Sequence, residues 1–191
     1  MARWEPNARE RLVRAAVDLF TEQGYEATTV TQIADRAGGL TKTTFFRHFP
    51  DKREVLFAGQ ETHVRLLTDG IAAAPADATP LEAVGTALDA LTDSFTDDRR
   101  DLGARLAVLI AANTELQERS VYKSTVLAAA MAQGLRKRDV PERTANLAAE
   151  IGMAAFNEAF THWADPADRR ALREHAREAL DGMRAAVAEL G

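Results

Sequence analysis

Apolar positions recur along the chain in steps of three and four, with no sustained alternation in steps of two. Leu12, Ala16, Leu19 and Phe20 share one face of a helix predicted over residues 7–22, which Gly24 ends. Two much shorter helices follow, over about 30–37 and 41–48, and then a longer one from Asp51 to about Gly70. Beyond the stretch Gly70–Thr79, the pattern predicts helices near 80–96, 101–112, 115–138, 142–163 and 167–190. Thr79-Pro80-Leu81-Glu82 and Asp51-Lys52-Arg53-Glu54 each put a capping oxygen three residues before a carboxylate. Thr29-Val30-Thr31-Gln32 is a further start signal, and Asp165-Pro166-Ala167-Asp168 a weaker one. Pro6, Pro80, Pro141 and Pro166 each precede a long amphipathic segment, as expected of proline in a first helical turn. With no run of β-branched and aromatic residues in period two, no sheet is expected. The pattern predicts an all-α fold of about nine helices, with Gly70–Thr79 as the joint between two layers.

The two short helices on either side of Gly38-Gly39 are too small to bury much surface alone. They fit either a packing elbow inside a bundle or a pair of helices shaped for a ligand. Ile33, Ala34 and Ala37 give the first an inner face, and Phe45 and Phe49 anchor the second. Left over on the second are Thr41, Lys42, Thr43, Thr44 and Arg47, short hydroxyls and cations. A helix entering a DNA major groove needs small polar side chains near the bases and cations near phosphates.

The segment TTVTQIADRAGGLTKTTFFRHFPDKREVLF, preceded by RERLVRAAVDLFTEQGYEAT, resembles the helix-turn-helix region of TetR/AcrR-type transcriptional regulators. The resemblance covers residues 7–58, under a third of the chain. It implies a three-helix DNA-binding domain over residues 1–50 and a connecting helix from 51 to about 70. A helical effector-binding and dimerisation domain would then occupy 71–191. By the same resemblance, Thr29 caps the second helix and reaches a phosphate, and Thr31 lies beside the DNA backbone. Thr41, Lys42, Thr43 and Thr44 face base edges and Arg47 extends that face. His48 lies at the backbone, with a capping or buried histidine as its alternative, and Lys52 approaches a phosphate. Two departures stand out. Gly38-Gly39-Leu40-Thr41 is one residue longer than the usual turn, so a looser turn or a re-aimed helix is expected. Phe46 stands where the family most often has tyrosine, whose hydroxyl reaches a phosphate. An arm cation, Arg3, would be one replacement, although Arg3 and Trp4 equally fit a solvated tail.

Charge adds little by itself. The chain has 24 Lys+Arg against 29 Asp+Glu, a net charge of −5. Residues 1–60 hold 9 basic and 8 acidic side chains, so the acidic excess lies in the C-terminal part. Cysteine is absent, which removes disulfides, thiolate metal sites and thiol nucleophiles and fits a reducing compartment. The longest apolar run, Leu106–Ala112, is seven residues, too short for a bilayer. The N-terminus carries charges where a signal peptide needs an apolar stretch. A cytoplasmic protein with no membrane partner is expected.

In the C-terminal part, Met153, Phe156, Phe160 and Trp163 line one side of the 142–163 helix, and Leu147, Ile151, Ala155 and Ala159 another. A helix apolar on two sides must be sandwiched. Leu172, Ala176, Leu180, Met183, Val187 and Leu190 make a continuous stripe on the last helix. Such stripes are usually intramolecular core, but the family resemblance implies a homodimer built from the last two helices. The expected interface residues are Leu147, Ile151, Leu172, Leu180, Met183 and Val187, with Gly152 permitting close approach or merely tolerated. A pocket for a small, mainly apolar effector is expected from Leu106, Leu109, Ile110, Met131, Met153, Phe156 and Phe160. Asn113 and Asn157 would orient the ligand, and plain core filling is the alternative. Arg136-Lys137-Arg138 reads as complementation of a helix dipole.

No GxSxG, Walker loop or dinucleotide fingerprint is present, and His48, His63, His162 and His175 show no metal spacing. No enzyme, cofactor or metal is expected. The favoured reading is a homodimeric repressor on a pseudo-palindromic, double-stranded DNA operator, released by the effector. A ligand-responsive activator, or a helical sensor that has lost DNA affinity, stands as the alternative.

Overall fold

The periodicity of three and four is realised as nine α-helices among the described residues, with no strand. The computed structural model describes residues 8–190. The helices are α1 (Ala8–Gln23), α2 (Val30–Arg36), α3 (Lys42–His48), α4 (Gln60–Ala73), α5 (Pro80–Thr92), α6 (Arg100–Ala111), α7 (Thr114–Arg136), α8 (Glu142–Trp163) and α9 (Leu172–Glu189). Short 3-10 turns occupy Arg53–Phe57 and Asp97–Arg99. Arg3, Trp4 and Pro6 lie outside the described residues.

Two of the capping signals form in full. The Thr79 N–H donates to the Glu82 carboxylate at 2.8 Å while the Thr79 hydroxyl accepts from the Glu82 N–H at 3.4 Å. Thr29 and Gln32 do the same for α2. At Asp51 only half the box forms. The Glu54 N–H reaches Asp51 at 3.0 Å, but the Glu54 carboxylate turns to the Arg119 guanidinium. The expected single helix from Asp51 to Gly70 is accordingly a 3-10 turn and a separate α4, interrupted at Ala58-Gly59. The 165–168 signal makes no helix. The Asp165 and Asp168 carboxylates accept from the N–H groups two residues on, Ala167 (2.9 Å) and Arg170 (2.8 Å), and α9 starts only at Leu172. Pro166 therefore lies in a loop, and Pro141 is the cap residue before α8.

The chain divides into two compact units, residues 1–58 with 105–120, and residues 59–104 with 121–191. Both α6 and α7 thus begin in one unit and end in the other. In the first unit Leu12, Ala16, Phe20, Ile33, Phe45 and Val55 are fully buried where α1, α2, α3 and the 3-10 turn meet. Leu109 and Leu116 are buried as well. Arg105 pairs with Asp18 at 2.8 Å, and Arg119 pairs with Glu54 while its guanidinium lies 4.9 Å from the Phe57 ring.

In the second unit, Leu67, Ile71, Val84, Leu88, Leu91, Met131 and Leu135 form a core shared by α4, α5, α7, α8 and α9. Gly70 sits so close to α5 that a side-chain carbon there would come within 2.5 Å of the Ala87 Cα. Gly152 is equally crowded, by Val84 of the same chain at 2.5 Å, so it serves intramolecular packing and not a subunit contact. Arg138 donates to the carbonyls of Ile71, Ala74 and Pro75, so it complements the C-terminal end of α4 and not the end of its own helix.

An aromatic group lies at the other end of this unit. The Phe95 ring centroid is 5.4 Å from His63, 5.8 Å from Phe156, 6.0 Å from Phe160 and 5.8 Å from Trp163. Burial among these rings, reinforced by Lys123 and Arg99, pushes the His63 imidazole from its usual 6.5 down to about 3. The unfolded chain therefore binds a proton near pH 6.5 that the folded chain does not. Stability should fall as pH drops from 6.5 towards 3, at about 1.4 kcal/mol per pH unit. Asp168, held at about 2 by hydrogen bonds from Arg170, makes its own contribution lower, between 3.8 and 2. Urea unfolding between pH 4.5 and 6.5 should show this slope, and His63→Leu should flatten it. An unchanged slope in His63→Leu would assign the acid sensitivity elsewhere.

Candidate nucleic-acid interface

The turn between α2 and α3 is closed more tightly than its extra residue suggests. Gly38 and Gly39 both adopt left-handed backbone, with φ of 94° and 71°. That conformation lets the Gly39 N–H reach the Asp35 carbonyl at 2.9 Å and the Leu40 N–H reach the Ala34 carbonyl at 2.9 Å. Arg11 of α1 then locks the turn, its Nε donating to the Ala37 carbonyl at 2.7 Å and its Nη2 to that of Gly38 at 3.3 Å. A side chain at Gly38 would collide with that guanidinium at 2.1 Å. The looser turn expected from the sequence is not what forms. No short-range signal marks Arg11, because its partners lie 26 and 27 residues away.

Out of this turn comes α3. Thr41 is its cap, accepting from the Thr44 N–H at 3.1 Å, and the two threonine hydroxyls lie 3.0 Å apart. Phe45 is buried, its ring 5.5 Å from that of the buried Phe49, so α3 is fixed from below. Lys42, Thr43 and Arg47 point outward and are exposed, with Thr44 half-buried at the cap. On α2, Thr31 is exposed and the Thr29 hydroxyl is engaged with Gln32 at 2.9 Å. His48 is half-buried beside Phe49, and its Nε2 is shielded without a hydrogen-bond partner in the described chain. Lys52 is more committed than the sequence indicates. Its ammonium donates to the Tyr25 carbonyl at 2.8 Å and lies 4.0 Å from the centre of the Tyr25 ring. Burial, aided by Glu115, raises the Tyr25 phenol, which stays neutral. Thr29, Thr31, Thr41, Lys42, Thr43, Thr44, Arg47 and His48 are thus all carried by one small helical unit around α2 and α3.

The other candidate residues divide. Leu147 is 57% and Val187 42% exposed, with Ile151 and Met183 half-buried beside the core. Leu172 and Leu180 do not belong on that face. Leu172 is buried with Trp163, Ala159 and Ala176, and Leu180 joins the α5–α8 core. Of the expected pocket residues, Leu106, Leu109, Ile110 and Asn113 fall in the first unit, where the Asn113 amide donates to the Leu109 carbonyl at 2.9 Å. Met131 and Met153 are buried in the second unit's core and Phe156 and Phe160 are half-buried among its rings. Asn157 is exposed on α8 and is not placed to line a buried site. Among the described residues no cluster of His, Asp or Glu side chains suits a metal, and no helix is long and apolar enough to cross a membrane.

Residues 12–58 match the model of the bacterial regulatory proteins of the tetR family. The chain is 38% identical over 89 residues to the HTH-type transcriptional regulator TcmR of Streptomyces glaucescens, covering 47% of this chain and 39% of that protein. It is 38% identical over 63 residues to the HTH-type transcriptional activator FasR of Mycolicibacterium smegmatis, covering 33% of this chain and 28% of that one. The chain thus spans well under half the length of these curated relatives. Among solved structures, it is similar to the TetR family transcriptional regulator PfmR of Thermus thermophilus. That likeness has a TM-score of 0.52 at 25% identity, over 90% of this chain and 95% of that one. The paired glycine turn and the capped, phenylalanine-anchored α3 lie inside the matched stretch, and it is this stretch, residues 12–58, that belongs to the tetR family of bacterial regulatory proteins.

Proposed function

We propose that the protein is a homodimeric transcriptional repressor that binds a pseudo-palindromic DNA operator and leaves it when a small, mainly apolar effector binds. The observation that carries the reading is α3 itself, a seven-residue helix clamped from below by Phe45 with Lys42, Thr43 and Arg47 exposed on its outside. Lys42, Thr43, Thr44 and Arg47 read base edges, Thr41 caps the helix that carries them, and Thr29, Thr31, His48 and Lys52 meet the backbone. The effector site is built on the half-buried rings of Phe95, Phe156 and Phe160. The outward apolar residues of α8 and α9 supply the dimer contact.

Selection of bound duplexes from a random pool at fixed salt tests this. Two inverted half-sites should emerge, and a reporter driven from that site should be repressed and then relieved by the effector. Recovery of no preferred sequence would reject the reading, and a reporter driven upwards would make the protein an activator. Lys42→Ala should change the preferred bases, costing about 1–3 kcal/mol at one position. Lys52→Ala should weaken all sequences alike and make the salt dependence shallower by about one unit. Because Lys52 also holds the Tyr25 carbonyl, a thermal melt of the variant belongs with the binding curve.

A further inference from the structure

Phe46 is out of place in the N-terminal unit. Its large apolar neighbours are inside, with Phe45 at 0%, Ile33 at 0% and Phe49 at 2% exposure, whereas Phe46 is 46% exposed. The ring is nonetheless held. It meets Phe45 edge-on, with centroids 5.6 Å apart and planes at 84°, and the Lys42 ammonium lies 5.8 Å from its centre. Phe46 follows Thr43 by three residues and Lys42 by four, so on α3 all three share one face. This aromatic side chain, on the outside of a helix otherwise dressed in hydroxyls and cations, touches the core only where it meets Phe45 and leaves nearly half of itself exposed.

We infer that Phe46 is a specificity-determining residue that selects a thymine in each half-site by contact with the thymine 5-methyl group. The inference rests on the DNA-reading function proposed above. A benzyl ring has no donor or acceptor, so against the carbonyls, ring nitrogens and amino groups of a major groove it would strip water and return no hydrogen bond. The thymine methyl is the one apolar group that the base edges present there. Lys42 narrows the position further. Its ammonium stays near the ring while donating to an O6, N7 or O4 acceptor, so the thymine lies about one or two base steps from the base that Lys42 contacts. Phe46 thereby replaces the phosphate hydrogen bond of a tyrosine with a base-selective contact.

Replacing single thymines of the selected operator with deoxyuridine removes the methyl and nothing else. Binding is read by fluorescence anisotropy at fixed salt, for the unaltered protein, Phe46→Ala and Phe46→Leu. One thymine per half-site should prove sensitive, its loss weakening binding about fourfold per half-site, the factor for burial of one methyl. That sensitivity should vanish in Phe46→Ala and persist in part in Phe46→Leu. Because the ring lies outside the core, both variants should melt within a few degrees of the unaltered chain, and the melt is recorded. A flat deoxyuridine series, or a sensitive thymine that stays sensitive in Phe46→Ala, overturns the inference. So does a Phe46→Ala variant that weakens all duplexes equally with a flat series, which would set the ring against the sugar–phosphate backbone. These failures leave sequence-selective DNA binding intact. Failure of the unaltered protein to enrich any duplex defeats the DNA-reading function and this inference together.

Discussion

Arg100→Met should destabilise the second unit by about 3–5 kcal/mol, measured by urea unfolding near neutral pH. Arg100 opens α6 and is only 9% exposed. Its Nη1 donates to the carbonyls of Trp163 (2.8 Å) and Asp168 (3.2 Å), and its Nη2 to the carbonyl of Arg170 (2.7 Å) and the Asp97 carboxylate (3.1 Å). The guanidinium also lies 5.1 Å from the Trp163 ring. Trp163 ends α8, so its carbonyl has no partner inside the helix, and the other two belong to the loop before α9. One planar cation therefore closes a helix end and a connection at once. Methionine fills comparable volume but donates nothing, and each buried carbonyl left bare costs about 1–3 kcal/mol. Arg100→Lys should fall between, because a single ammonium cannot span acceptors set out for a fork. A loss under about 1 kcal/mol in Arg100→Met would mean that the loop does not depend on this cation.

Arg100 also marks a limit of what the chain makes legible in advance. Its three carbonyl partners lie 63 to 70 residues away, and in sequence it is one more basic residue near a helix start. The same holds for Arg11 at the glycine turn and Lys52 on Tyr25. Long cationic side chains reach distant carbonyls, and neither periodicity nor capping patterns carry that information. Local order is far more readable. The helix order and the capping boxes at Thr29 and Thr79 follow from spacings of three and four, which depend only on near neighbours. Where two local demands compete, the reading fails. Glu54 fits a capping box at Asp51 yet pairs with Arg119, and the expected long helix from Asp51 becomes a 3-10 turn followed by α4. Periodicity also cannot tell which partner covers an apolar stripe. Leu172 and Val187 sit in one stripe of α9, but Leu172 is 1% exposed and Val187 is 42% exposed, because only the first half of the helix is enclosed by its own chain.

That uneven burial sets the largest expected effect on binding, in Leu147→Glu combined with Val187→Glu. The connection between α8 and α9 runs from Trp163 to Leu172, and the two helices pack closely on each other. Leu147 and Val187 lie sixteen and fifteen residues from the helix ends that this connection joins, so they stand at one level of the antiparallel pair. Ile151 and Met183 lie one turn nearer the connection, half-buried against the core. In the proposed dimer this face meets its symmetry mate, and each glutamate would bury a charge with no partner, twice over by the two-fold axis. Neither residue is part of the buried core, so the monomer's unfolding midpoint should shift little, whereas sedimentation at micromolar concentration should change from dimer to monomer. Binding should follow. A dimer holds its second reading helix near the second half-site at high effective concentration, and that advantage is worth about 10²–10⁴ in affinity. The double variant should lose that factor on the full pseudo-palindrome and bind an isolated half-site as the unaltered protein does. A double variant that still sediments as a dimer would move the interface off α8 and α9. A variant that is monomeric yet keeps full-site affinity would mean that the half-sites are read independently, since only physical linkage of the two heads makes their affinities multiply.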